Sequence, residues 1–193
     1  AIPLGITAAV HQNTWRDSSS TVLGLLGLSM PNFWLGLLLI IAFSLHLNWF
    51  PSMYDGTLRG LILPAITLGT GHAALTMRTT RSSMLEVVRQ DYLRTVRAKG
   101  VSEKVVINKH ALKNALIPII TVIGTQVGHA MGGAVLTETV FACNGVGRLI
   151  VDSVNYRDTE MVCGAIILTT FLSSFIMLII DLPPILLVIM VRQ

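Results

Sequence analysis

The sequence predicts an all-α integral membrane protein, a polytopic bundle of transmembrane helices. Three observations carry that prediction. Hydrophobic residues make up 52% of the 193 positions and charged ones 12%, with a mean hydropathy of +0.69, whereas about a quarter of a soluble domain's residues are charged. Charge-free runs occupy Ser18 to Tyr54, Gly60 to Met77, Asn114 to Thr137 and Met161 to Ile180, and roughly twenty apolar helical residues cross a bilayer. Nine of the fourteen Lys and Arg residues crowd between Arg78 and Lys113, a segment that must stay in water.

Taken in order, the opening AIPLGITAAV reads as the tail of a spanning helix. It lacks the basic start and cleavage site of a signal peptide, so a first helix is expected upstream. The run from Ser18 is longer than one span needs; its helix is predicted to end near Leu47, because Trp49, Pro51 and Tyr54 are the rings and breaker expected where a helix leaves the bilayer. Gly60 to Met77 supplies the next span. The basic segment after it is cytoplasmic by the positive-inside rule. Alternation then puts Arg16 and Arg192 inside, and the loops around Pro51 to Arg59 and Val140 to Glu160 outside.

Within the basic segment, Tyr92, Leu93 and Val96 recur at helical spacing and are predicted to continue the preceding span until Gly100 breaks the run. Ser102 and Glu103 offer an N-cap and a first-turn acid for a second, short helix. Its stripe is Val101, Val105, Val106 and Leu112, with Lys104, Asn108 and Lys109 elsewhere on the surface. Such a helix lies across a partner or along the bilayer interface. In the following span Gly124, Gly128 and Gly132 sit four apart, a groove for close helix packing within the subunit or onto a second one. Pro118 is predicted to bend that helix. The stretch ETVFACNGVGRLIVDSVNYRDTE then forms an outer loop, either re-entrant and interfacial around Leu149, Ile150, Val151 and Val154 or a plain surface loop. Near the end, Pro183 and Pro184 are expected to disturb the last helix.

The pieces IPLGITAA, GLSMPNFWLGLLL, LILPAITL, TRSSMLEVVRQDYLRTVRAKGVSEKVVINKHALKNALIPIIT, GGAVLTETVF and GVGRLIVDSV, in that order, resemble the binding-protein-dependent ABC importer permeases, in the branch for dipeptides, oligopeptides and nickel. The similarity covers nearly the whole chain as a single permease domain, residues 1–193, with 86–113 as its cytoplasmic coupling segment. Arg94, Thr95 and Val96 stand where other branches carry Glu-Ala-Ala, and Gly100 is the loop glycine. The resemblance implies half of a translocation path in a bacterial or archaeal cytoplasmic (inner) membrane, crossed several times. It implies as partners a second permease, two cytoplasmic ABC ATPases, an extracytoplasmic substrate-binding protein and the lipid bilayer. Gly100, Ser102 and Glu103 would form the turn and start of the coupling helix, with Lys104, Lys109, His110 and Asn114 on or beside the ATPase contact. Two places depart from the family: Phe141-Ala-Cys-Asn-Gly-Val-Gly-Arg148 lacks the usual Trp-Pro pair, and DLPPILLVIMVRQ replaces a polar D-P-R-I-R tail.

Chemistry is sparse. Glu138, Asp152, Asp158 and Glu160 fall at or beyond the outer boundary, and no span centre holds an acid, so neither a catalytic constellation nor a buried proton relay emerges. No phosphate-cradling G-x-x-x-x-G-K-[ST] occurs, so the chain is expected to bind no cofactor and ATP is hydrolysed by a partner. A stand-alone channel or secondary transporter is the alternative. Basic residues without interleaved aromatics argue against nucleic acid. Cys143 and Cys163 match no metal or redox spacing and read as small hydrophobes. The histidines are too scattered for metal ligation, even with nickel as one cargo of the branch. Asn32, His72, Gln126 and His129, with Thr125, are polar residues at membrane depth and candidates for lining a path or bonding neighbouring helices.

Overall fold

The computed structural model describes residues 1–131 and 134–191, with side chains over 1–130 and 134–180. Every regular element among them is helical. Helix α1 covers Ile2–Val10, α2 Trp15–Ser29 and α3 Asn32–Leu39, which runs on as a wider π-helical stretch over Ile40–His46. Helix α4 spans Ile62–Val88 and α5 Asp91–Ala98. The short α6 (Glu103–Val105), a π-helical turn at Val106–Ala111 and α7 (Leu112–Met131) follow one another without a break. Helices α8 (Val135–Val140), α9 (Val146–Asn155) and α10 (Thr159–Val191) complete the chain.

Three helical stretches are long and apolar enough to cross a membrane: Arg59–Val88, Glu103–Ala130 and Thr159–Ile180. They match three of the four charge-free runs. The first run differs from expectation. It is divided at Met30 and Pro31 into α2 and α3, and these qualify as a span only together, as a bent pair. Pro31 supplies the reason: it has no N–H to donate, and its ring pushes Met30 out of helical geometry. Helix α10 passes through positions 183 and 184 without ending, since a proline costs a helix one donor while its fixed φ still suits the helical backbone. Likewise Pro118 is accommodated inside α7.

Several hydroxyls within the spans are satisfied locally. The hydroxyls of Thr67, Thr70 and Thr80 on α4 donate to the carbonyls of Leu63, Ile66 and Thr76, at 2.7 to 2.8 Å. Closing such bonds inside the helix removes the cost of carrying a hydroxyl into hydrocarbon.

The chain falls into two compact units. One comprises Ala1–Gly27, Ala73–Gly124 and the chain from Ile180 onward. Its core joins Ala9 of α1, Met84 and Val87 of α4 and Leu93 of α5 to Val106, Ile107, Ala111, Ala115 and Ile119, all buried. Gly5 lets α1 approach α4 closely, because a Cβ there would come within 2.6 Å of Thr80 Cβ. The other unit comprises Leu28–His72 and Thr125–Ile179. Phe141 is buried there against Gly36 of α3, and its carbonyl accepts the Tyr54 N–H at 2.8 Å.

Candidate functional site

The basic segment is built on a turn that only a few residues tolerate. Helix α4 stops at Val88, and Gln90 in extended backbone starts α5, so the expected continuation of the span is interrupted at Arg89 and Gln90. Helix α5 carries Asp91 in its first turn and Arg97 in its last, each suited to the helix dipole. It stops at Ala98, and the chain turns at Gly100, whose φ of +77° lies in the left-handed region and whose N–H bonds the Arg97 carbonyl at 2.9 Å. Ser102 then returns to extended backbone, and its carbonyl accepts the N–H groups of Val105 and Val106. Ser102 holds the N-cap position as predicted, but its hydroxyl makes no capping bond.

Across the turn, Arg97 grips Glu103 with two parallel bonds, Nε to Oε2 at 3.1 Å and Nη2 to Oε1 at 2.9 Å. The Glu103 carboxylate thereby holds the Arg97 guanidinium above its ordinary pKa. Both groups are substantially exposed, so the fork sets direction more than stability, contributing at most about 1 kcal/mol.

The expected second short helix is not separate. It flows through the π turn into α7, giving one stretch from Glu103 to Ala130. Its buried side is Val106, Ile107 and Ala111, whereas Val105 is exposed and Val101 and Leu112 are half-buried. The wide turn carries more residues per revolution than an α-helix, which shifts the apolar stripe from the predicted 3.6-residue register. Outward lie Glu103, Lys104, Val105, Asn108 and Lys109, with Ser102 and Gly100 at the leading end. His110 and Asn114 are instead half-buried. The Tyr92 hydroxyl donates to the His110 carbonyl at 3.2 Å, and the Asn114 amide donates to the Tyr92 oxygen at 2.7 Å. Tyr92 is thus the pin between α5 and the wide turn, a role its apolar spacing did not reveal.

Of the packing glycines, Gly124 abuts Ile180, and a Cβ at Gly128 would meet Met177 at 3.2 Å. Both therefore serve α10 of the same chain. Gly132 lies outside the described residues. Among the polar candidates, Asn32 is exposed and near Gly71, and His72 is half-buried. Gln126 is buried with a partner. His129 is exposed and borders a cavity of about 330 Å³ with Thr169, Thr170, Ser173 and Ser174.

The loop after α7 is also built. Helix α8 presents the Glu138 carboxylate to the start of α9, where Oε2 accepts the Arg148 N–H at 2.7 Å. Gly145 and Gly147 leave room for that carboxylate, so the GVGR sequence opens a capped helix and not a formless loop. Burial pushes the nearby Cys143 thiol up, helped by the Glu138 charge and opposed by Arg148. A further pair was invisible to sequence spacing: Arg81 of α4 clasps the buried Asp17 of α2, Nε to Oδ1 at 2.6 Å and Nη2 to Oδ2 at 2.8 Å.

These features define a multi-pass helical membrane protein whose exposed basic surface is built into the end of a span-length helix. The chain belongs to the family described as the binding-protein-dependent transport system inner membrane component, which matches residues 1–183. Among its relatives, the dipeptide transport system permease protein DppB of Alkalihalophilus pseudofirmus is 43% identical over 206 residues, covering 92% of this chain and 62% of its own. The glutathione transport system permease protein GsiC of Escherichia coli K12 is 45% identical over 177 residues, covering 92% and 58%. GsiC of Pectobacterium atrosepticum is 44% identical over 179 residues, covering 93% and 58%. The chain therefore spans about three-fifths of the length of these relatives.

Proposed function

We propose that the chain works as a permease subunit of an ATP-driven importer, forming half of a path for short peptides across the inner membrane. The observation that carries this reading is the outward surface from Gly100 to Lys109, which from Glu103 onward is the leading end of an unbroken 28-residue helical stretch of membrane-spanning character. Closure of two nucleotide-binding partners pulls on that surface, and a continuous helix passes the displacement into the span. Lys104 and Lys109 supply the charge of the contact, Gly100 and the Arg97–Glu103 fork its direction, and Tyr92 with Asn114 its stiffness. ATP hydrolysis belongs to those partners. A second permease completes the path, and an extracytoplasmic binding protein delivers the cargo. The names of the relatives, dipeptide and glutathione permeases, favour peptide over nickel.

Co-purification tests the reading. Lys104→Glu with Lys109→Glu is expected to leave the subunit in the membrane while removing the ATPase from it and abolishing uptake. An ATPase that stays bound to the doubly reversed subunit, with uptake intact, overturns the assignment; uptake by the chain alone without ATP selects the stand-alone carrier.

A further inference from the structure

Helices α1, α2 and α4 enclose a cavity of about 180 Å³ that the import reading does not use. Its polar lining consists mainly of donors. Ser20 is only 7% exposed and lines the cavity. Arg78, exposed at the same wall, has no ion-pair partner among the described residues. Arg81 follows three residues later on the same face of α4, and its charge is cancelled by Asp17, whose two oxygens are taken by Arg81 and the Asn13 N–H. One uncompensated positive charge remains, with the Ser20 hydroxyl on the lining of the same cavity. A group with a single negative charge and several acceptor oxygens satisfies both.

The remaining walls are apolar. Leu25 and Met77 flank the space, and Gly24 makes room for Met77, since a Cβ there would come within 2.5 Å of Met77 Cε. Position along the helix narrows the source. Arg78 stands nineteen residues after Arg59 in one helical stretch, about 28 Å of rise, close to the roughly 30 Å of a hydrocarbon core. If Arg59 leaves the core at one face, Arg78 reaches headgroup depth at the other. A strongly hydrated free phosphate ion has no use for Leu25 and Met77. The geometry points to a bound anionic phospholipid, its phosphodiester on Arg78 and Ser20 and its glycerol and upper acyl chain along Leu25 and Met77.

The test uses the chain purified with its partner subunits from membranes into mild detergent, then offered phosphatidylglycerol or phosphatidylcholine, with retained lipid counted by native mass spectrometry. Wild type is expected to keep one phosphatidylglycerol per chain in preference to phosphatidylcholine. Arg78→Gln, at an exposed position that spares the fold, weakens retention about fivefold, the effect of removing one basic side chain near an anionic lipid surface. Ser20→Ala weakens it less, and Arg59→Gln leaves it unchanged. The proposal is overturned by equal retention of the two lipids, by unchanged retention in Arg78→Gln, or by a wild type that holds no lipid there because another protein segment covers the cavity. Displacement of the lipid by millimolar inorganic phosphate, with no preference for a diester, assigns the site to the free ion and overturns it too.

Discussion

Replacing Gly100 separates two reasons for having a glycine there. A Cβ at this position would find nothing within 4 Å, so space is not the constraint; the φ of +77° is. A left-handed residue with a Cβ costs roughly 1 to 2 kcal/mol, less for Asn, whose short polar side chain tolerates that region. The Arg97–Glu103 fork cannot offset this, being a surface pair of about 1 kcal/mol or less. Gly100→Ala is therefore expected to raise the open fraction of the turn by about 5- to 30-fold, with Asn between Gly and Ala, and Val, branched at Cβ, worst of all. Hydrogen exchange reads this directly, because the Gly100 amide is bonded to Arg97 on one side of the turn and the Val105 and Val106 amides to Ser102 on the other. Their protection should fall in the order Gly, Asn, Ala, Val, and retention of the ATPase subunit should fall in the same order. Equal protection in Gly100→Ala and wild type, or an Asn variant worse than Ala, refutes the conformational argument.

Three other outcomes are expected. Tyr92→Phe leaves the Asn114 amide and the His110 carbonyl short of a partner and lowers stability by about 1 to 3 kcal/mol; thermal unfolding of Tyr92→Phe, Asn114→Leu and the double variant should be strongly non-additive, and simple additivity disproves the pin. Gly145→Ala would drive its Cβ into the Glu138 carboxyl and cost about 1 kcal/mol or more through loss of the cap on α9. Adding Glu138→Ala should relieve that clash, and a Gly145→Ala protein melting like wild type contradicts the reading. Because burial disfavours its thiolate, Cys143 in a Cys163→Ser background should react with maleimide more slowly than free cysteine at neutral pH and catch up as pH rises; a faster reaction excludes this environment.

Much of the architecture was readable because hydrocarbon imposes a blunt rule: charge stays out and about twenty residues span. That rule located α4, α7 and α10. It failed at Pro31, where no charge marks the break and the signal was a proline with the restriction it places on Met30. Gly100 was legible as a stop, since a glycine followed by Ser and Glu has local chemistry. The side chain that Glu103 would bind was not, because Arg97 lies across the turn it helps to close. Val106 lies on the buried side as the stripe predicted, but Val105 is exposed and Ile107 and Ala111 take buried places the stripe did not include, because the wide turn breaks the period on which stripe reading depends. Asp17 and Arg81 lie 64 residues apart, and no periodicity links partners joined only by tertiary packing. Glu138 was read as one acid among several; the two glycines at 145 and 147 were the sign that something bulky sits against the start of α9.

The π-helical stretch at Val106–Ala111 has a bearing on length variation. A turn that already holds a surplus residue can surrender one and tighten to ordinary α-helix while the segments on either side keep their phase. Shortening α7 itself by one residue would instead spin everything beyond the cut by about 100°, taking Gly124 and Gly128 off Ile180 and Met177. Residues such as Asn108 thus occupy a stretch of helix where the chain can change length without re-aiming its two ends.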